Sequence, residues 1–220
     1  GVHFLNKDTG VVLCSGNKIY KTTNGGNNWD LRNFVGGCGS SFFDFDSSGK
    51  GYITCGCNTL IKTTDYCETF SEVIGIPWYG EDLRCIDVYD SNIFAFGYGD
   101  YNGGSTRLTS TTNAGINWMR SVIFNNSQVE SISIFKPKLV CILIPPTIYI
   151  NQNGFEYFIE YQYSFSYYPR KAKFISDSAI YVIGVLGVIY KTTNLGLTWS
   201  QQNSPSTRHL NDIYFLNENT

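Results

Sequence analysis

Histidine and methionine are nearly absent. The 220-residue chain holds two histidines, His3 and His209, and one methionine, Met119, so histidine triads and multi-histidine metal centres have little raw material. Glutamate is scarce at seven residues, and only 15% of the chain is charged. Sixteen Lys plus Arg against eighteen Asp plus Glu leave a net charge of −2. That is far from the basic surplus that holds duplex nucleic acid, so no nucleic-acid partner is expected. Long hydrophobic runs are missing too. The longest, Ala179 to Tyr190, is twelve residues broken by Gly184 and Gly187, whereas a membrane helix takes roughly 18 or more. It reads as two strands, and the chain as not membrane-spanning. Neither a Gly-x-Ser-x-Gly elbow nor a phosphate loop occurs. The first residue is Gly1 rather than methionine, which reads as a processed product or part of a larger chain or assembly.

What is abundant is aromatic and turn chemistry. Tyr, Phe and Trp make up 16% of the residues, beside 22 Gly, a mixture that favours pleated, half-buried surfaces joined by tight turns. The expected class is all-β. Seven cysteines, at 14, 38, 55, 57, 67, 85 and 141, leave at least one unpaired within the chain. Cys55-x-Cys57 lacks zinc-knuckle spacing and no second pair follows it, so no metal and no cofactor is expected. Cys14 and Cys55 hold the same place in successive repeats, which suits small buried strand residues.

The repeat dominates the chain. Ile19-Tyr-Lys-Thr-Thr-Asn-Gly-Gly-Asn-Asn-Trp29 returns as Ile189-Tyr-Lys-Thr-Thr-Asn-Leu-Gly-Leu-Thr-Trp199. Between them lie Leu60 to Phe70, Leu108 to Trp118 and the weaker Ile148 to Phe158. The closing aromatics Trp29, Phe70, Trp118, Phe158 and Trp199 are spaced by 41, 48, 40 and 41 residues. Alternation and turn residues put four strands in each unit. The opening strand (Phe42 to Phe45 in the second unit) precedes a polar turn such as Asp46-Ser-Ser-Gly49 and a second strand such as Tyr52 to Cys55. The Ile-Tyr-Lys-Thr-Thr segment is the third strand, and a fourth starts at the closing aromatic. Four short strands per 40 to 48 residues is the period of a propeller blade.

These residues resemble a known family. Thr22-x-Asn24-x-Gly26-x-x-Trp29, Thr111-x-Asn113-x-Gly115-x-x-Trp118 and Thr192-x-Asn194-x-Gly196-x-x-Trp199 look like the Asp-box hairpin of sialidase and sortilin propellers. Their longer context most resembles photosystem II stability-factor-like repeats. The resemblance implies a β-propeller of five four-stranded repeats, with units of roughly 1–40, 41–82, 83–128, 129–170 and 171–209 and an extra first strand at 210–220. Those repeats are widespread in secreted bacterial proteins, so an extracellular, periplasmic or virion-surface location is expected over a cytoplasmic one. Two units depart from the pattern. Thr63-x-Asp65 is followed by Cys67 where the box has Gly, and Asn151-Gln-Asn153-Gly-Phe155 replaces both Thr and Gly; these two hairpins are expected to be distorted. The box serves as a folding staple: a short polar side chain bonds its own turn, Gly accepts positive φ, and the aromatic ring packs between strands. Trp29, Trp118 and Trp199 are therefore expected to be largely buried. Leu210 to Thr220 repeats the signature of Val2 to Thr9, so either five blades close as a ring or the chain belongs to a larger propeller.

For function, sialidase chemistry needs an arginine cluster, a Tyr-Glu pair and an acid. Of six arginines, Arg84, Arg170 and Arg208 each stand just before an opening strand, where they are expected to share a channel rim as an anionic or partner patch. No matched carboxylate pair accompanies them, so no enzyme activity is expected. The distinctive feature is aromatic loops. Pro77-Trp78-Tyr79, the insertion Gly97-Tyr98-Gly-Asp100-Tyr101, and Tyr161 to Arg170 with Tyr167 and Tyr168 all connect strands at one end of the blades, where Tyr and Trp suit protein hot spots and sugar stacking. Loops that differ from blade to blade favour one asymmetric protein partner; a multivalent glycan-binding or adhesion module is the alternative, a residual glycosidase the third reading. Asn125-Asn-Ser127 is a glycosylation acceptor pattern too common to assign a compartment.

Overall fold

A computed structural model describes residues 1–33, 40–55, 59–77, 82–99, 105–125, 128–155 and 161–215. Among these, every regular element but one is a strand, and each sheet is built from four consecutive strands. Sheet one is β1 (Val2–Phe4), β2 (Gly10–Cys14), β3 (Lys18–Thr22) and β4 (Asp30–Asn33). Sheet two is β5 (Ser40–Phe45), β6 (Gly51–Cys55), β7 (Thr59–Thr63) and β8 (Ser71–Glu72). Sheet three is β9 (Asp82–Val88), β10 (Phe94–Gly99), β11 (Ser105–Thr111) and β12 (Met119–Asn125). Sheet four is β13 (Ser131–Lys136), β14 (Leu139–Ile144), β15 (Thr147–Asn151) and β16 (Tyr161–Ser164). Sheet five is β17 (Pro169–Phe174), β18 (Ile180–Gly184), β19 (Ile189–Thr192) and β20 (Ser200–Gln202). The exception is a 3-10 turn at Val185–Gly187, between the two strands expected from the Ala179 to Tyr190 run. The expected four-strand pattern is therefore present in all five repeats, with each fourth strand starting after the closing aromatic. The segment 211–215 carries no strand.

The chain divides into two compact units, Gly1–Tyr98 with Ser110–Trp118, and Gly99–Thr109 with Met119–Thr220. In the first, alternation turns Val11, Leu13 and Ile19 of sheet one toward Phe45, Ile53 and Ile61 of sheet two, closing one core. Sheet two turns its other face, with Tyr52 and Leu60, toward Ile86, Val88, Phe94 and Phe96. Tyr52 stacks on Phe94 with centroids 3.7 Å apart. In the second unit, Cys141, Leu143, Ile148 and Ile150 of sheet four meet Ala172, Phe174, Ile180, Val182 and Tyr190 of sheet five. Each buried strand residue of this kind contributes about 1.5–3 kcal/mol relative to exposure.

The repeat hairpins are built alike. Gly26, Cys67, Gly115 and Gly196 each donate their N–H to the threonine hydroxyl four residues earlier at 2.9 Å. Oδ1 of Asn24, Asp65, Asn113 and Asn194 accepts from the N–H four residues later at 2.8–3.0 Å. The expected distortion at Cys67 is absent: the residue adopts φ +66° and keeps both bonds. The hydrogen bonds and a fully buried side chain outweigh the ~1–2 kcal/mol of left-handed backbone strain. In the fourth hairpin Asn151 replaces the threonine and its Oδ1 accepts from the N–H of Asn153 at 2.8 Å; Phe158 lies outside the described residues.

The tryptophans correct a second expectation. Trp118 and Trp199 are half-buried, and Trp29 is 36% exposed. Trp199 packs on Tyr163 and Phe165 from the preceding sheet, at 5.8 and 5.2 Å. Trp29 meets Phe4 of its own sheet at 6.3 Å and donates to the Gly26 carbonyl at 3.0 Å. Its burial would come from a preceding sheet, and among the described residues no sheet of its own unit covers the equivalent face of sheet one.

Candidate functional site

In an antiparallel four-stranded unit, the turns after second strands and the links into the next opening strand share one end, opposite the repeat hairpins. In the second unit four such segments are fastened together by three main-chain bonds. Val185 donates to the Tyr168 carbonyl at 3.0 Å, Phe165 donates to the Pro146 carbonyl at 2.9 Å, and Leu210 donates to the Gly184 carbonyl at 3.0 Å. His209 Nδ1 accepts from the Leu186 N–H at 3.3 Å. Gly184 and Gly187 make this approach feasible. A Cβ on Gly184 would fall 2.3 Å from the Tyr168 oxygen, and one on Gly187 would overlap the Ser206 oxygen.

On this frame stand three large exposed side chains: Tyr167 at 44%, Tyr168 at 49% and Leu186 at 56%. The Tyr168 hydroxyl donates to Glu130 Oε1 at 3.4 Å, and Arg170 Nη1 donates to Asn211 Oδ1 at 2.8 Å. His209 and Arg208 are exposed beside them. The patch pairs apolar area with polar tips held on backbone-fixed loops, an arrangement suited to recognising an extended chain or a flat apolar surface.

Of the residues expected from the sequence to bind a ligand or partner, Tyr167, Tyr168 and Arg170 come together in the second unit. Arg84 lies within β9 and Arg170 within β17, rather than ahead of those strands, because pairing starts earlier than the hydrophobic pattern indicates; Arg208 lies in a segment without strand structure. Tyr98 is placed by its backbone alone, in β10. Trp78, Tyr79, Asp100 and Tyr101 lie outside the described residues. Leu186 and His209 were missed by sequence reasoning, although Gly184 and Gly187 flanking Leu186 were a usable sign of a tight turn.

The first unit holds a second feature. A shallow cleft of about 270 Å³ is lined by Asn33, Ile61, Glu68, Thr69, Phe70, Ser71 and Glu72. Its Glu68 accepts from Lys21 Nζ at 2.7 Å and Arg32 Nε at 3.1 Å. The Lys21 hydrogen bond, ahead of burial that opposes it, holds the Glu68 carboxyl below its usual range. Asp65 is pushed up by burial, but hydrogen bonds from Thr69, Thr63 and the Glu68 N–H outweigh that and hold it at about 2. Asp65 is thereby committed to its own hairpin and Glu68 to Lys21 and Arg32 of sheet one. Among the described residues no group of three or more His, Cys, Asp or Glu can hold a metal ion, and no helix is long and apolar enough to cross a membrane.

No family model matches the chain, and no curated protein sequence does. Solved structures are similar. YCF48 bound to a D1 peptide aligns over 99% of this chain and 85% of its own, with 14% identity and a TM-score of 0.59. An ancestral GH74 enzyme aligns over 94% of this chain at 14% identity and a TM-score of 0.72, and the GH74 enzyme of Niastella koreensis over 88% at 19% and 0.67. The fold is a β-propeller. This propeller chain spans only 32% and 36% of those two GH74 enzymes, and at such identities the likeness concerns the fold.

Proposed function

We propose that this propeller is a non-enzymatic binding module that takes a segment of a partner protein on its loop-bearing end, through Tyr167, Tyr168, Leu186 and Arg170. The observation that carries this reading is the exposure of two tyrosines and a leucine on loops fixed by the Tyr168–Val185 and Leu186–His209 bonds. Rigid aromatic anchors lose little conformational entropy on binding and favour hot-spot contacts. The YCF48 structure, a propeller of similar fold holding a peptide, is in keeping with such use. The test is to probe an array of extended peptides and an array of glycans with the labelled chain, beside its Tyr167→Ala/Tyr168→Ala variant. Peptide binding that the double variant loses while its melting temperature holds is the expected result. Binding to glycans alone, or peptide binding indifferent to both tyrosines, overturns the reading.

A further inference from the structure

The open face of sheet one matches, residue for residue, a face that is covered in sheet five. In sheet five Ala172, Val182 and Tyr190 of the row Ala172–Val182–Tyr190–Gln201, with the aromatic Trp199, pack against sheet four, while Gln201 at the row's end is exposed. In sheet one the row Val2–Val12–Tyr20–Leu31 and Trp29 hold the same positions. There Val2 is 65% exposed, and Phe4, Trp29 and Leu31 are exposed as well. A face patterned to receive a sheet receives none within its unit.

Sheet five carries the complement on its far side. Lys171, Lys173, Tyr181 and Lys191 alternate onto the face turned away from sheet four. The segment after Leu210 runs across it, with Asp212 3.8 Å from Lys171 and Phe215 4.9 Å from the Tyr181 ring. An opening strand lies against its predecessor in the same way between sheets two and three, where Val88 N–H donates to Asp44 Oδ2 at 2.7 Å. Ile213-Tyr-Phe-Leu-Asn-Glu-Asn-Thr220 aligns with Val2-His-Phe-Leu-Asn-Lys-Asp-Thr9, identical at four of eight positions. Yet 211–215 pairs with no strand among the described residues, and Tyr214 is 80% exposed. Lys191 shows the same vacancy. Its counterpart Lys21 donates to the Tyr66 carbonyl of the next hairpin, whereas the Lys191 ammonium lies over Tyr181 at 5.2 Å and reaches no acceptor among the described residues.

We propose that a second copy of this chain covers the open face of sheet one. Ile213–Phe215 of one copy pairs with β2 of the other in the register that β1 uses, Ile213 taking the place of Val2 and Phe215 that of Phe4. β1 is three residues long, so few ladder bonds oppose its displacement. The far side of sheet five then meets the Val12, Tyr20 and Leu31 face, and Lys191 reaches the Gly25 carbonyl, which stands where Tyr66 stands in sheet two. The contact is head-to-tail, so association grows with concentration unless the geometry closes a ring.

The test is mass by light scattering of the full chain across a concentration series, beside an Ile213→Lys/Phe215→Glu variant and a Leu31→Lys variant. The first changes the donated strand and the second an exposed side chain of the receiving face, so neither removes a buried core residue. Expected are concentration-dependent dimers or larger species for the unaltered chain, roughly tenfold or more weaker association for both variants, and dissociation by a synthetic peptide of sequence 210–220. A chain that stays monomeric at every concentration overturns the proposal, including the case in which the strand folds back on its own β2. Variants that associate as tightly as the unaltered chain overturn it equally.

Discussion

Lys21 Nζ lies 2.7 Å from the main-chain oxygen of Tyr66, fastening the third strand of sheet one to the hairpin of sheet two. The same ammonium is 2.7 Å from Glu68 Oε1, and its side chain is almost fully enclosed. Lys21→Met removes the donor while leaving a buried carbonyl unmet. Glu68 is half exposed and rehydrates, which limits the loss. Lys21→Met should therefore cost about 1–3 kcal/mol and Glu68→Gln less, read as a lower urea midpoint at unchanged slope.

Acid should act on the same hairpin. Glu68 and Asp65 both ionise below their ordinary range when folded, so the stability they contribute is present above the unfolded values of about 4 and is lost as pH falls through the folded ones. Asp65→Asn keeps the Oδ1 acceptor that Asn24, Asn113 and Asn194 supply elsewhere. Thermal melts between pH 4 and 2 should show a shallower decline for Asp65→Asn, starting from a neutral-pH stability that lacks the carboxylate's contribution. An identical decline would show that Asp65 is not among the groups responsible.

Trp199 and Trp29 should differ although the repeat makes them equivalent. Trp199 sits against Tyr163 and Phe165, so Trp199→Ala should approach the usual ~3–5 kcal/mol for a large-to-small change, while Trp29→Ala should cost about 1 kcal/mol. Trp199→Phe should be mild, because its indole N–H is buried without an acceptor. Denaturant titration of the three variants orders them.

That difference marks what sequence could convey. The hairpin recurs because Thr22, Asn24 and Gly26 satisfy one another within a few residues, and local bonding leaves a local signature. The exposure of Trp29 depends on whether another sheet reaches it, which no spacing encodes. The strand starts at Arg84 and Arg170 differ from the expectation for a related reason: these residues lie inside β9 and β17 while their side chains are only half-buried, so hydrophobic alternation does not count them. At the candidate site Tyr167 and Tyr168 were visible as a cluster. Leu186 and His209 were not, since a 3-10 turn and a distant loop bring them together.

Ala114 offers a gain in stability. It adopts φ +58° at the hairpin position that Gly25 fills in sheet one at φ +68°, and its N–H donates to the Asn92 carbonyl at 3.0 Å. Glycine relieves the left-handed strain of ~1–2 kcal/mol and loses part of that to unfolded-state entropy. Ala114→Gly should stabilise by up to about 1 kcal/mol in denaturant titration, and a loss would show that its methyl group packs more tightly than its half-buried state indicates.

His3 should make the docking of β1 sensitive to mild acid. The Tyr66 hydroxyl donates to the His3 carbonyl at 3.0 Å, so the 3.1 Å contact with His3 Nδ1 is one in which the ring N–H donates. The imidazole packs at 5.0 Å from the Phe45 ring, and Lys21 Nζ lies over the other partner, Tyr66, at 5.3 Å. Burial lowers the His3 pKa. A base with a depressed folded value binds its proton less readily in the native state than when unfolded. Its contribution is therefore whole above the unfolded value of about 6.5 and declines as pH falls from there through the folded value. Melting temperature should start to fall in that range, ahead of the carboxylates, and exchange of the Val11 amide, opposite His3 in the ladder, should quicken with it. His3→Gln cannot take up the proton and should flatten this first step while leaving the later acid loss in place. A variant whose pH profile matches the unaltered chain would assign the step to another group.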